Sequence, residues 1–272
     1  MENWDGVLRY TNEVLAEKSE LTALASADEA AFVWQGSNAF GVYNMTTSNE
    51  VIWLYSNMGE TSTFYTAGSF NYRAPFGVSD DLMDLYEFEN DTEKKNFKDL
   101  RPFLYFSTSA YFLQGLPVYY QLYGCKCGKQ SLTIGTKGIR TAELYLNRAE
   151  AYTRKFIALG DDNDRKLALA DLNNLRRHRY DTRNVAYEPK DYRNGSDLLE
   201  FCKEERRREL CFEDHRWFDL RRWGMPQIQH TWYPDAQSTL VYTLKEHDPG
   251  YTIPLLSLIH ISEPTRRTPI SY

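Results

Sequence analysis

The chemistry that this sequence suggests first is carboxylate chemistry, because Glu205 and Glu209 lie one helical turn apart in the segment 196–224. Hydrolysis of a glycosidic bond needs two carboxyl groups across a cleft, one protonated and one ionised. Residues 206–208 are all arginine, however, and neighbouring positive charge lowers the pKa of both carboxyl groups. A carboxyl group that stays ionised cannot act as a general acid, so the sequence disfavours a glycoside hydrolase.

The sequence lacks the other common catalytic and metal-binding patterns. The histidines lack HExxH spacing, no serine sits in a nucleophile elbow, and no glycine-rich phosphate loop follows a strand. Cys125 and Cys127 have no nearby histidine or second cysteine pair to complete a tetrahedral zinc site. The acidic run 161–164 lacks the ordered spacing of a calcium loop, although calcium stays open there. We therefore predict no catalytic residue, no cofactor and no metal site.

Charged residues occupy the side of the segment 196–224 that should be apolar. Steps of three and four residues follow one face of a helix. From Leu199 and Cys202 these steps reach charged residues, and they reach apolar residues again at Leu220 and Trp223. Buried charges are costly unless acid and base bond to one another, so a charge network is expected. Direct ligand contact and a solvated charge run are the alternatives. The predicted structural network consists of Glu205, Arg206, Glu209, Glu213, Arg216 and Asp219.

A helix that runs without a break through this segment has a consequence for two cysteines. Cys202 and Cys211 are nine residues apart and would lie on opposite sides of such a helix. We therefore expect no disulfide between them.

Aromatic side chains outside the periodic segments are the candidates for ligand binding. The chain is 15% aromatic, with 20 Tyr and 6 Trp, and the stretch 56–78 holds rings among Gly, Ser, Thr and Asn without any helical or strand period. Non-periodic loops of this kind often carry recognition, and a ring face suits the apolar C–H face of a sugar. The candidate ligand contacts are Trp53, Tyr65, Tyr72 and Arg73, with Trp232 in a weaker second patch. Burial in the core is an equally good interpretation of Trp53, because a strand usually buries every second residue.

Composition excludes several partners. A net charge of −6 opposes binding to nucleic acid or to anionic lipid, both of which need clustered Lys and Arg. A length of 272 residues with 42% hydrophobic content is enough for one large domain or two small ones. No segment reaches the roughly 20 apolar residues of a membrane helix, and the first residues lack the features of a signal peptide.

Helical periodicity predicts the elements that would position these residues. Residues 3–17 form an amphipathic pattern with Asn3 as its cap. The clearest pair begins at Ala142, stops at Gly160, and resumes after Asp162 or Asp164. Such a pair resembles a tetratricopeptide repeat unit, which must stack on neighbours to bury its apolar face.

Shorter elements are predicted around the helical pair. Residues 50–55 read as a strand, and Ser26 and Ser79 each precede a helix start. Pro102, Gly115 and Pro117 should break residues 101–123 into short extended pieces, and residues 124–138 should form a loop.

The blocks ERRREL, FE and RWFDLRRWG at 205–224 resemble the signature helix of the SusD/RagB family. AELYLNRAEAY at 142–152 is similar to the first repeat helix of that family. LNNLR at 172–176 resembles the partner helix. Weaker matches are NEVIW at 49–53 and SDDLMDLY at 79–86.

The resemblance implies a mainly α fold of tetratricopeptide-like helical pairs, with an irregular, aromatic-rich loop and a region of short strands. It also implies a non-enzymatic surface lipoprotein of the outer membrane that binds a glycan or another nutrient. The partner would be a SusC-like TonB-dependent transporter. A helical-repeat adaptor that binds another protein is the alternative function.

Family members are longer and carry their export signal and lipidated cysteine in the N-terminal half, which implies that this chain is a C-terminal part of such a protein. We expect residues 1–255 to belong to a single domain whose helical core is strongest at 139–224. Residues 256–272 have no period and resemble translated adapter sequence, so we expect a non-native tail there.

Overall fold

The computed structural model describes residues 3–26, 42–45, 48–55, 78–87, 98–113, 116–124, 137–232 and 238–252. Two compact units divide the chain, Met1–Arg216 and Trp217–Tyr272. The predicted helix after Ser26, most of the aromatic stretch 56–78, the pair Cys125 and Cys127, and the tail 256–272 lie outside the described residues. The prediction of one domain over 1–255 stays a prediction.

Helices dominate the described residues, as the sequence predicted, and the fold is mainly α. The helices are α1 Trp4–Glu17, α2 Asp80–Met83, α3 Arg101–Tyr105, α4 Thr141–Leu159, α5 Asp162–Arg177, α6 Gly195–Leu210 and α7 Arg216–Arg222. Short 3₁₀ turns cover Leu24–Ser26 and Pro249–Tyr251. None of the described helices is both long enough and apolar enough to cross a bilayer.

The strands described form three antiparallel pairs. They are β1 Val51–Tyr55, β2 Phe106–Leu113, β3 Leu116–Gly124, β4 Lys137–Arg140, β5 Ile228–Trp232 and β6 Leu240–Leu244. β1 pairs with β4, β2 with β3, and β5 with β6. The predicted strand at 50–55 is confirmed as β1.

The helical pair α4 and α5 forms the core of the first unit. Ala142 and Ala149 on α4 are fully buried, and their small size lets Leu172 and Leu175 of α5 approach closely. Leu198 of α6 joins the same cluster, so three helices bury one continuous core. The predicted tetratricopeptide-like pairing is thus confirmed.

The turn between α4 and α5 follows the prediction at one end only. Gly160 ends α4 in the left-handed conformation at φ 72°, and its N–H donates to the Phe156 carbonyl at 2.8 Å. The predicted cap at Asp162 or Asp164 is wrong, because the Asp161 side chain accepts from the Asn163 N–H at 2.9 Å. Asp161 follows the glycine directly in extended backbone, so Asp162 and Asp164 fall inside the first turn, where the helix dipole favours acid.

Helix α1 also agrees with its sequence pattern. The Asn3 side chain accepts from the Gly6 N–H at 2.8 Å, and the buried residues of the helix are Leu8, Thr11 and Leu15. This face packs on α4, so α1 adds a further layer to the helical core.

The prediction of one continuous helix over 196–224 is wrong. Helix α6 is capped by Asn194 and ends at Leu210, and Phe212 and Asp214 then adopt φ values of 60° and 66°. A right-handed helix cannot contain left-handed residues, so the chain turns before α7 begins at Arg216. Residues after Leu210 therefore do not continue the helix face that begins at Leu199 and Cys202.

The turn also changes the account of the two cysteines. Cys211 lies outside α6, where its sulfur contacts the Tyr86 hydroxyl at 3.6 Å. Cys202 on α6 contacts the Thr153 hydroxyl at 3.3 Å. Both thiols are buried, in two different apolar clusters.

Residues 101–123 are extended only in part. Arg101–Tyr105 is helical, contrary to the prediction, and Pro102 sits in the first turn, where its missing N–H leaves no helical hydrogen bond unmade. β2 and β3 then form a hairpin. The two ends of the predicted loop 124–138 belong to strands instead, since β3 includes Gly124 and β4 begins at Lys137, and residues 125–136 lie outside the described residues.

The second unit contains the β5–β6 hairpin and a small aromatic cluster. The rings of Trp217 and Tyr251 stack with centroids 5.1 Å apart. The Tyr251 hydroxyl donates to the Pro226 carbonyl at 2.5 Å, which holds the turn before β5 against this ring pair.

Candidate functional site

The β1–β4 ribbon carries a row of exposed side chains on one face, which we call the outer face. Trp53 lies opposite Ile139, and Tyr55 lies opposite Lys137. Residues two apart on a strand share a face, and so do residues that face one another across an antiparallel pair. All four side chains are exposed, and Trp53 is 55% exposed despite its size. The outer face is thus an aromatic and aliphatic platform with a cation at one end.

The inner face of the ribbon is closed by Tyr43. A Cβ at Gly138 would lie 2.9 Å from the Tyr43 ring, so only glycine permits this close approach. Tyr43 is itself buried, and its hydroxyl donates to Glu213 at 2.5 Å. Since the inner face is filled, the ribbon cannot turn its outer residues inward.

Both strands of the ribbon are anchored beside the outer face. Glu50 directly precedes β1, and Arg140 ends β4; Nη1 of Arg140 lies 3.0 Å from Oε2 of Glu50. The N–H of Thr141 also donates to the Glu50 carbonyl at 2.9 Å. A two-stranded ribbon is marginally stable by itself, so these bonds fix its register.

An ion pair lies at the Tyr55 end of the outer face. Nζ of Lys137 lies 2.8 Å from Oδ2 of Asp214, and the two side chains are 50% and 48% exposed. Asp214 belongs to the left-handed turn between α6 and α7. The outer face therefore combines ring faces, which can stack on an apolar ligand surface, with a charged donor and acceptor for hydroxyl groups.

The structure places the predicted ligand contacts as follows. Trp53 lies on the outer face, so its alternative position in the core is not observed. Trp232 lies on β5 of the second unit, where it is 53% exposed and its ring centroid is 6.3 Å from that of Tyr242. Tyr65, Tyr72 and Arg73 lie outside the described residues.

Sequence reasoning missed the other members of the outer face. Tyr55 could have been found, because it is two residues from Trp53 on a predicted strand. Ile139, Lys137 and Asp214 could not, because their proximity depends on strand pairing and on the turn after α6.

A buried charge network lies beneath the ribbon, and Glu209 on α6 is at its centre. Its carboxylate accepts from Arg140 at 2.6 Å, from Arg179 at 3.0 Å and from Arg101 at 3.1 Å. The Tyr105 hydroxyl also donates to it at 3.1 Å. Three guanidinium groups from separate parts of the chain thus converge on one carboxylate.

Glu205 forms a second centre one turn earlier on α6. It accepts from Arg101 at 2.7 Å, from Arg176 at 2.7 Å and from Arg208 at 3.0 Å. Arg101 reaches both glutamates and also pairs with Asp99 at 2.6 Å. The two centres therefore form one continuous network.

The network is balanced in charge. Its buried bases are Arg101, Arg140, Arg176, Arg179 and Arg208. Its buried acids are Glu50, Asp99, Glu205, Glu209 and Glu213. Desolvation of each ion is thereby offset by a partner of opposite sign.

This arrangement keeps the central glutamates ionised. Burial by itself would raise the pKa of Glu205, but Arg101, Arg176 and Arg208 outweigh it and hold the pKa well below the usual 4.5. Burial likewise opposes ionisation of Glu209, and three arginines again lower its pKa well below 4.5. Neither carboxyl group holds the proton that a general acid must donate.

The six residues predicted as a charge network occupy different surroundings. Glu205, Glu209 and Glu213 meet arginines in the buried network. Arg206 donates to Asn147 at 2.7 Å, Asp219 pairs with Arg222 at 2.9 Å, and Arg216 is exposed at the start of α7.

Most bases of the network were not identified from the sequence. These bases lie outside α6, in α3, β4, α5 and the turn after α5: Arg101, Arg140, Arg176 and Arg179. Charged residues at positions of α6 that should be apolar were the local sign of a buried network. Among the described residues, no group of three or more His, Cys, Asp or Glu side chains could hold a metal ion.

Comparisons with known proteins agree on one family. The family model described as the SusD family matches residues 33–255. A SusD-like carbohydrate-binding protein from Bacteroides vulgatus is 20% identical with a TM-score of 0.54, over 89% of this chain and 47% of that one. A SusD-like protein from Bacteroides fragilis is 16% identical with a TM-score of 0.56, over 89% of this chain and 56% of that one.

The chain therefore spans about half the length of the solved structures that it matches. Their likeness supports the mainly α, tetratricopeptide-like fold. A search of curated proteins found no significant match.

Proposed function

This chain belongs to the SusD family, and from that premise we propose that it is a non-enzymatic, glycan-binding component of an outer-membrane uptake system. In this proposal it holds an oligosaccharide at the cell surface and presents it to a SusC-like TonB-dependent transporter. The full-length protein would be a lipid-anchored outer-membrane protein, as the family resemblance implies. One of the two similar structures is described as carbohydrate-binding.

The observation that carries the proposal is the outer face of the β1–β4 ribbon. Trp53 and Tyr55 are exposed side by side on a ribbon whose inner face is filled by Tyr43. Aromatic rings held in place before binding lose little conformational freedom when a ligand stacks on them. Burial favours rings strongly, so an exposed Trp on an anchored ribbon fits a ligand contact better than a packing role.

The proposal of a non-enzymatic role is supported by the buried carboxylates. Arginines hold Glu205 and Glu209 in the ionised form, and both lie in the interior, where a glycan could not reach them. The pair that the sequence offered as a hydrolytic centre is better explained as part of the scaffold.

Further ligand contacts are proposed from the sequence. Tyr65, Tyr72 and Arg73 follow β1 in the chain, so they could extend the surface that begins at Trp53. Trp232, with Tyr242 beside it, would form a second contact in the second unit.

The test is a titration of the whole chain with a panel of neutral and acidic oligosaccharides, followed by calorimetry and tryptophan fluorescence. We expect saturable binding to at least one glycan, and loss of about one stacking contact in Trp53→Ala, roughly tenfold in affinity. Tyr10→Ala is the matched control, because Tyr10 is an exposed aromatic on α1. Tyr65→Ala and Tyr72→Ala test the proposed extension.

Two results would contradict the proposal. Absence of binding to every glycan would favour the helical-repeat adaptor instead. Release of shortened products from a glycan by the purified chain would show an enzyme.

A further inference from the structure

The ion pair between Lys137 and Asp214 has a weak structural role. Both side chains are about half exposed, and ion pairs in that setting contribute little to stability. That exposure leaves the ammonium and the carboxylate accessible to a ligand.

The position of the pair suggests ligand contact. Lys137 lies on the outer face directly opposite Tyr55, so the pair continues the row that begins with Trp53 and Ile139. An ammonium group donates hydrogen bonds and a carboxylate accepts them. Side by side, the two groups suit neighbouring hydroxyls at the edge of a sugar ring that stacks on the aromatic side chains.

The charge of the pair limits what can bind. Lys137 is already partnered by a carboxylate 2.8 Å away, so a ligand anion would meet both attraction and repulsion. The chain has a net charge of −6, which adds a general repulsion of anions. An uncharged sugar has no such penalty and can bond to both groups without breaking the pair.

Resting on the proposed carbohydrate binding, we infer that the outer face of the β1–β4 ribbon selects uncharged glycans and that Asp214 excludes uronic-acid and sulfated ones. Lys137 donates to a sugar hydroxyl while Asp214 accepts from its neighbour. Asp214 is the specificity-determining residue, because it neutralises Lys137, the cation among the four side chains that define the outer face.

The test measures the affinity of the whole chain for an array of neutral glycans and for their uronate-bearing and sulfate-bearing counterparts. The same measurements on Trp53→Ala show which binding occurs at the outer face. Wild type is expected to bind neutral glycans at least tenfold more tightly than their acidic counterparts. Asp214→Asn should raise affinity for acidic glycans about tenfold, with a steep decrease as salt is added. Asparagine tolerates the left-handed conformation, so this variant should keep its fold.

Lys137→Gln provides a second variant that does not depend on the turn. It leaves the Asp214 carboxylate without that cation, so neutral glycans should bind several-fold more weakly and acidic glycans should gain nothing. An unchanged preference in Asp214→Asn would overturn the inference.

The two proposals fail in different ways. If wild type binds acidic glycans more tightly than neutral ones, and Trp53→Ala loses that binding, the selectivity inference is wrong. The proposed glycan binding at the outer face would still hold. Absence of Trp53-dependent binding to any glycan would overturn the proposed function and this inference together.

Discussion

Arg140 and Glu213 form a two-point ion pair although 73 residues separate them in the sequence. Nε of Arg140 lies 2.9 Å from Oε2 of Glu213, and Nη2 lies 2.7 Å from Oε1. Arg140 ends the strand that carries Ile139, and Glu213 precedes Asp214 in the turn after α6. One buried pair thus holds together the two segments that supply the ends of the outer face, so the network and the proposed ligand site are linked.

Removal of the central acid should destabilise the protein strongly. Glu209→Gln leaves Arg101, Arg140 and Arg179 buried with one negative charge fewer, which typically costs about 3–5 kcal/mol in free energy of unfolding. The measurement is urea unfolding followed by circular dichroism. Arg9→Gln is the control, because its pair with Glu13 is exposed and should contribute below about 1 kcal/mol. Equal effects of the two changes would show that the network is not a stabilising element.

Stability should decrease in acid because of the same glutamates. The folded-state pKa values of Glu205 and Glu209 lie below the unfolded value of 4.5, so the unfolded chain binds more protons between those limits. Their contribution is fully present above pH 4.5 and is lost progressively as the pH falls toward the folded-state values. Urea unfolding at a series of pH values should show this decline, with a smaller slope in Glu209→Gln. A variant slope equal to that of wild type would contradict the assignment.

The thiol of Cys202 should resist modification in the native protein. Burial raises its pKa to about 12, so the reactive thiolate is scarce near neutral pH and the sulfur is also shielded. Brief treatment with iodoacetamide, followed by mass spectrometry of peptides, should find Cys202 unlabelled in native protein and labelled in urea. Rapid labelling of the native thiol would mean that α4 and α6 separate readily.

Periodic segments were predictable because their patterns are local. α1, α4 and α5 each repeat apolar residues on one face, and Gly160 marks a stop that depends on its own backbone freedom. The end of α6 was not predictable in this way, since Phe212 and Asp214 adopt left-handed backbone without glycine.

Residues of the candidate site were predictable only where the sequence of a single strand identified them. Trp53 was identified from its place beside the aromatic stretch, but its exposure depends on Tyr43 filling the opposite face. The arginines that neutralise Glu205 and Glu209 come from distant segments, and charge alone does not say which arginine will meet which acid. Contacts between segments far apart in sequence determine both the exposure of Trp53 and the partners of the buried glutamates.

Two glycine substitutions should separate the ribbon from the general stability of the fold. Gly138→Ala places a Cβ 2.9 Å from the Tyr43 ring and still closer to the Trp53 carbonyl, so β4 must shift and glycan binding should fall at least tenfold. Gly160→Ala meets no atom within 4 Å but must adopt φ 72°, so it should cost about 1 kcal/mol of stability and leave binding unchanged. Calorimetric titration with a glycan that wild type binds measures the affinity, and thermal unfolding measures the stability. If Gly138→Ala unfolds at the same temperature as Gly160→Ala and binds as wild type does, the close packing of Tyr43 beneath the ribbon does not position the outer face.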